Sequence, residues 1–344
     1  MKKLIVIIIA MALLMNSCVS MKTKNYQNML CKSYSGIPDG EGPYRGMVFI
    51  KTGKFVFGND QGHQDEDSGN FDLFYEESGS YTAKVDGFWI DKHEVTNAQF
   101  QQFVAETGYI TLAERTHDSL GKSTSPGSAI FLPPSILPDQ GDIERWWTLV
   151  PGANWRHPLG PNSDISGKMN HPVVHITYED AKAYADWAGK QLPTEAQWEY
   201  AAKSGLKNKV YAWGNQFRPH NQWMANTFQG RFPTHDSGDD GFIGTAPVGC
   251  YTPNNWGLYD MAGNVWEIVS DFYQPTHHES AQINPKGPKE SFDPRDPVAH
   301  KHVIKGGSFL CSPDYCMRYR PSARQGQDRI MSTNHIGFRL VKNN

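Results

Sequence analysis

Past residue 15 the chain has no apolar run approaching the roughly 20 residues that a membrane-spanning helix needs. It also lacks an excess of either charge: 33 Lys and Arg stand against 36 Asp and Glu, a net charge of −3. That balance gives no basis for nucleic acid or an anionic membrane as a partner. No internal repeat or low-complexity segment occurs, which excludes a solenoid. Cysteine is scarce, with five in 344 residues and no Cys-x-x-Cys, so a four-ligand zinc centre lacks its usual parts. The D-x-D-x-D-G spacing of an EF-hand is absent too.

What the chain has is turns and rings. Its 32 Gly, 22 Pro and 12% aromatics describe tight turns packed under bulky side chains rather than long helices. The fold class expected is α+β: a single compact domain over residues 45–344 with low regular secondary structure. Lys2 and Lys3 lead into the twelve-residue run "LIVIIIAMALLM", short for a span but right for a signal-peptide core. Ser17 before Cys18 resembles a bacterial lipobox. Residues 1–17 are therefore expected to be a lipoprotein signal peptide, with Cys18 acylated and two or more acyl chains holding the protein to a membrane. Residues 18–44, polar and without sustained periodicity, read as a tether. The localisation implied is an exported bacterial lipoprotein facing the periplasm or the cell surface.

Local signals place a few elements. "GMVFIKTGKFVFG" (46–58) alternates apolar residues around Lys51–Gly53 and predicts a hairpin. Thr96 with Gln99, Thr177 with Asp180 and Thr194 with Gln197 are capping boxes or a near relative. Each opens a helical pattern that ends at a glycine, Gly108, Gly189 or Gly205.

Cys311 and Cys316, a C-x4-C pair behind Gly306-Gly307-Ser308, carry the chemistry of interest. Two thiolates on a short loop suit a soft ion such as Cu(I), and in an exported protein the same spacing suits a disulfide. Arg318, Arg320 and Arg324 are expected to hold the loop through bidentate bonds, and positive charge nearby favours thiolate. The pair is expected close together at a surface groove.

"LPTEAQWEYAAKSG", "NNWGLYDMAGNVWEIVSDFY" and "VIKGGSFLCSPDYCMRYRPSAR…NHIGFRLV", together with "ANWRHPLGP" and "NTFQGRFPTHDSGDDGFIGTAPV", resemble the formylglycine-generating enzymes, the sulfatase-modifying factors. The resemblance runs from about Met47 to Val341 and implies that family's C-type-lectin-like fold. It also implies an activity: O2 and a reductant are used to convert the cysteine of a Cys-x-Pro-x-Arg segment of a sulfatase to Cα-formylglycine. By the same resemblance Cys311 and Cys316 bind Cu(I), and Ser308 is an active-site serine that positions oxygen or substrate. Calcium is implied at Asn226, the Thr227 carbonyl, Asp240 and the Phe242 carbonyl. A second, weaker site takes Asp260 with the carbonyls of Gly263 and Val265. Some relatives carry two further disulfides, but here Ala185 and Leu340, and Ala202 and Pro321, stand in those places, which leaves Cys31 and Cys250 without an assigned role. The alternative reading is a non-catalytic surface lipoprotein module of the same fold.

Overall fold

The computed structural model describes residues 31–59, 75–119, 122–134, 146–277 and 283–343. Residues 1–17, expected to be a signal peptide, and Cys18 lie outside the described residues. Among the described residues no helix is long and apolar enough to cross a membrane.

All three threonine-capped helices form. They are α1 (Asn97–Thr107), α2 (Tyr178–Trp187) and α3 (Glu195–Lys203), each opened by a reciprocal capping box at Thr96, Thr177 or Thr194. α1 ends on Gly108 at φ 68°, and α3 ends through Ser204 at φ 44° and Gly205 at φ 80°. Left-handed backbone of this kind is where a helix terminates cheaply when glycine supplies it.

The expected hairpin does not form, although both of its strands do. β1 (Met47–Ile50) and β2 (Gly53–Phe57) belong to different sheets, for β2 pairs with β3 (Tyr81–Val85) and β1 with β4 (Phe88–Asp91). Gly53 shows why. A Cβ there would stand 2.0 Å from the Tyr200 hydroxyl, so the chain passes hard against α3 as it leaves β1. Phe57 then packs in one core cluster with Tyr200 and Trp198. Alternation fixes a strand's inner face but not its partner.

Further along, β5 (Gly127–Phe131) pairs with β6 (Trp147–Pro151) as a separate ribbon. A four-stranded sheet runs in the order β9-β8-β7-β10, where β7 is Trp266–Phe272, β8 Lys301–Lys305, β9 Arg324–Asp328 and β10 Ile336–Gly337. β11 (Val341–Asn343) covers the edge of β4 opposite β1. One large core gathers Phe100, Trp155, Tyr184, Trp266 and Phe338, and Cys311 and Cys316 border it. Ala185 and Leu340 pack in this same core as ordinary apolar residues.

From Cys31 onward the segment read as a tether is docked on the body. Cys31 is bridged to Cys250, with Cα atoms 5.0 Å apart and a separation of 219 positions in sequence. Asn170 Nδ2 donates to the Cys31 carbonyl at 2.8 Å, and the Thr96 hydroxyl donates to that of Gly36 at 2.5 Å. Gly36 lies so close to Met169 that a Cβ would stand 2.4 Å from its carbonyl oxygen.

Candidate active site and cation loops

The loop after β8 must fold back under itself, and its two glycines allow that. Gly306 and Gly307 take φ of 93° and 72°, and a Cβ on Gly307 would stand 2.9 Å from the Arg318 backbone. Only glycine adopts such angles so close to another chain without strain. Ser308 is fully buried; its hydroxyl accepts from Leu310 N at 3.2 Å and its carbonyl from Cys311 N at 2.9 Å. The Ser312 carbonyl then accepts from the amides of Tyr315, Cys316 and Met317. This winding brings Cys311 and Cys316 together as a bridged pair, with Cα atoms 5.4 Å apart.

The pair is not at the surface as expected. Cys311 is 1% exposed and Cys316 5%, and only the tip, Pro313–Tyr315, reaches solvent. Both cysteines pack in the main core with Met317 and Tyr319, and a second, aromatic cluster covers the tip. Tyr315 stacks on Phe232 at 4.2 Å and meets Trp146 edge-on at 5.5 Å. Phe228, Phe309 and Leu310 pack with Trp146.

Arg320 and Arg324 make the bidentate carboxylate pairs expected of them, while Arg318 makes a single contact. Arg320 grips Glu77 with both terminal nitrogens and donates to the Met317 carbonyl at 2.9 Å. Arg324 reaches both oxygens of Glu195, at 2.8 and 3.0 Å, and Arg318 lies 3.4 Å from Glu76. Bidentate pairs of this kind combine charge with fixed geometry.

The same region contains a buried trio, Glu195, Glu199 and His277, whose ligand atoms lie within 4.8 Å of one another. Their place for a cation is already filled. Lys305, itself fully buried, sits 3.3 Å from Glu195 and 3.0 Å from Glu199, with Lys203 and Arg324 beside them. Burial alone would push the Glu195 carboxyl up, but Arg324 and Lys305 outweigh it and hold the group well below its ordinary range. The trio is an ion-pair knot.

The two loops expected to hold calcium abut. Asn226 bridges to Gly263, and the Asn226 carbonyl accepts from Asn264 N at 2.8 Å. Asp240 accepts from Phe242 N at 3.0 Å and from the Tyr251 hydroxyl at 2.8 Å, and burial pushes its carboxyl up. Thr227 contributes a carbonyl that also accepts from Gln229 Nε2 at 2.7 Å. In the second loop Asp260, at φ 54°, accepts from Gly249 N at 2.7 Å, and burial pushes its carboxyl up to about 6.

Sequence reading missed two neighbours of that aspartate. Glu267 is neutralised by Arg339, at 2.6 and 2.7 Å. Glu94 has no such partner. It is 1% exposed, and burial and then Asp260 raise its carboxyl well above the usual range. Its Oε2 has no hydrogen-bond partner in the structure. A buried oxygen left in that state is costly. Hard oxygen donors with one uncompensated carboxylate fit Ca²⁺, and the paired sulfurs, once reduced, fit a soft ion such as Cu(I).

A family model described as "Sulfatase-modifying factor enzyme 1-like domain" matches residues 36–344. The formylglycine-generating enzyme of Mycobacterium tuberculosis is 45% identical over 284 residues, which cover 79% of this chain and 93% of that one. The enzyme of the same name from Mus musculus is 42% identical over 303 residues, 86% of this chain and 74% of that one. A Mus musculus protein named inactive C-alpha-formylglycine-generating enzyme 2 is 35% identical, over 86% and 85% of the two chains. The structure of PvdO from Pseudomonas aeruginosa shares the fold, with a TM-score of 0.58 at 21% identity over 91% of this chain and 100% of that one.

Proposed function

Because the chain belongs to the family of sulfatase-modifying factor enzyme 1-like proteins, we propose that it converts a cysteine of a sulfatase polypeptide to Cα-formylglycine. Relatives named for that activity support the conversion, and the observation that carries it here is the Cys311–Cys316 pair, held 5.4 Å apart between Cα atoms on an arginine-pinned loop.

The finer reading is a copper-dependent oxidase. Cu(I) bound by the reduced Cys311 and Cys316 supplies affinity for a third, substrate thiolate and electron-transfer chemistry toward O2. The rest is done by this chain. The tip at Tyr315, backed by Phe232 and Trp146, presents an aromatic shelf to an extended Cys-x-Pro-x-Arg segment. Ser308, beneath the first cysteine, fixes the turn that aims it. Turning a CH2–SH group into an aldehyde and hydrogen sulfide removes two electrons, while O2 going to water and the aldehyde oxygen accepts four. A reductant supplies the other two electrons, with two protons.

Calcium in the loops of Asn226, Thr227, Asp240 and Phe242, and of Asp260, Gly263 and Val265, fits as a structural ion. Acylation of Cys18 would place the enzyme on a membrane, facing the exported substrate.

The test is conversion of a peptide containing Leu-Cys-Thr-Pro-Ser-Arg, read by mass, with Cu(I), O2 and a reductant supplied. Wild type should convert it, and Cys311→Ser and Cys316→Ser should lose copper binding and turnover together, since a hydroxyl is a poor soft ligand. Excluding O2 should stop the reaction. Wild type that binds Cu(I) yet never converts the peptide would favour the non-catalytic module.

A further inference from the structure

The cysteine loop is tied to both cation loops by main-chain bonds, one of which ends on Asn264. Gly263 N donates to the Gly306 carbonyl at 2.9 Å, and Phe228 N to that of Cys311 at 3.0 Å. Phe309 N, one residue past Ser308, donates to the Asn264 carbonyl at 2.9 Å. Asn264 is 1% exposed and sits at φ 58°.

Every polar group of Asn264 has a partner on a different segment or loop. Its amide donates to the Asn226 carbonyl at 2.8 Å. Its Oδ1 accepts from Asn226 Nδ2 at 3.1 Å and from Ala246 N at 2.9 Å, and its Nδ2 donates to Glu94 Oε1 at 3.0 Å. The loop of Asn226 and Ala246, the buried Glu94 and the cysteine loop are therefore all bonded to this one residue, beside the direct bonds at Gly306 and Cys311. An aspartate in its place would keep both acceptor bonds. It would put a carboxyl oxygen in place of the amide donor that faces Glu94.

We infer that Asn264 is the positioning residue that sets the cysteine loop relative to the cation loops, acting on Cys311 and Cys316 without touching them. The inference rests on the oxidase reading only for its effect on copper binding; its effect on the cysteine pair stands apart from that reading.

The experiment takes the full chain as wild type, Asn264→Asp, and Asn264→Asp combined with Glu94→Gln, where the lost bond can re-form with its direction reversed. Two readouts are made on protein shown to be folded by near-UV circular dichroism. The first is the equilibrium of the Cys311–Cys316 dithiol with glutathione disulfide, giving bridged protein and two glutathiones, scored by alkylation and peptide mapping. Asn264→Asp should move that equilibrium by about threefold or more, since bridge formation depends on how the two thiols are held. The second is Cu(I) affinity by competition, expected to fall by about tenfold, the usual cost of losing an outer-shell support. The double variant should recover most of both.

Folded Asn264→Asp with a wild-type thiol equilibrium, or a folded double variant that recovers neither readout, would overturn the inference. Wild type that neither binds copper nor converts peptide would sink the oxidase reading and leave the thiol measurement standing. If Asn264→Asp alone does not fold, Asn264→Gly, which tolerates the left-handed backbone and removes the side chain, decides: it should move the thiol equilibrium by about threefold or more, and a folded Asn264→Gly with the wild-type equilibrium counts against the inference.

Discussion

Single residues carry two consequences that can be measured directly. His175, His302 and His335 are buried, and burial lowers their imidazoles to about 4, about 4 and about 3, with His175 adding to the effect on His335. Unfolded, each takes up a proton near 6.5, so between these values the unfolded chain binds more protons than the folded one. Stability is thus complete above about pH 6.5 and falls as the pH drops toward the folded values. At pH 5 each could remove up to about 2 kcal/mol. Urea midpoints at pH 7.5 and 5 should show the fall, and His302→Gln should lessen it; an unchanged slope would free His302 of the effect. Asp240 gives the second consequence. Asp240→Ala should blunt the rise in melting temperature that Ca²⁺ gives wild type, because an ion bound only by the native state stabilises by mass action. An equal response would remove Asp240 from the ligand set.

At the scale of elements, what the sequence disclosed was local. Thr96, Thr177 and Thr194 announced their helices because cap and partner lie three residues apart. The Gly-Gly-Ser lead and the two cysteines were legible for the same reason. Pairings across the chain were not. The alternation in β1 and β2 gave no sign that their partners would be β4 and β3. Glu94 meets Asn264 across 170 positions, and nothing in "HEVTN" marks a buried, half-satisfied carboxylate. The docking of Cys31–Tyr44 was hidden as well, since it depends on a bridge between residues 219 apart. That bridge closes a long loop, and such closure stabilises by about 5 kcal/mol in the chain-entropy account. Cys31→Ser should lower the melting temperature, and a reductant should lower that of wild type by a similar amount. A variant as stable as wild type would show the docked segment to be held by its hydrogen bonds alone.

For the whole molecule, one arrangement matters beyond the folded state. β4 lies between β1, formed early in the sequence, and β11, formed at residues 341–343. Its register is locked from the far side when Leu340 N donates to Asp91 Oδ2, a bond spanning 249 residues. Ribosomes deliver a chain N-terminus first, so one flank of β4 stays open until residue 343 has emerged. Until then the sheet lacks its last strand, and β4 offers an unpaired edge on which any other extended segment could add, so the order of synthesis makes this flank the last part of the sheet to be protected.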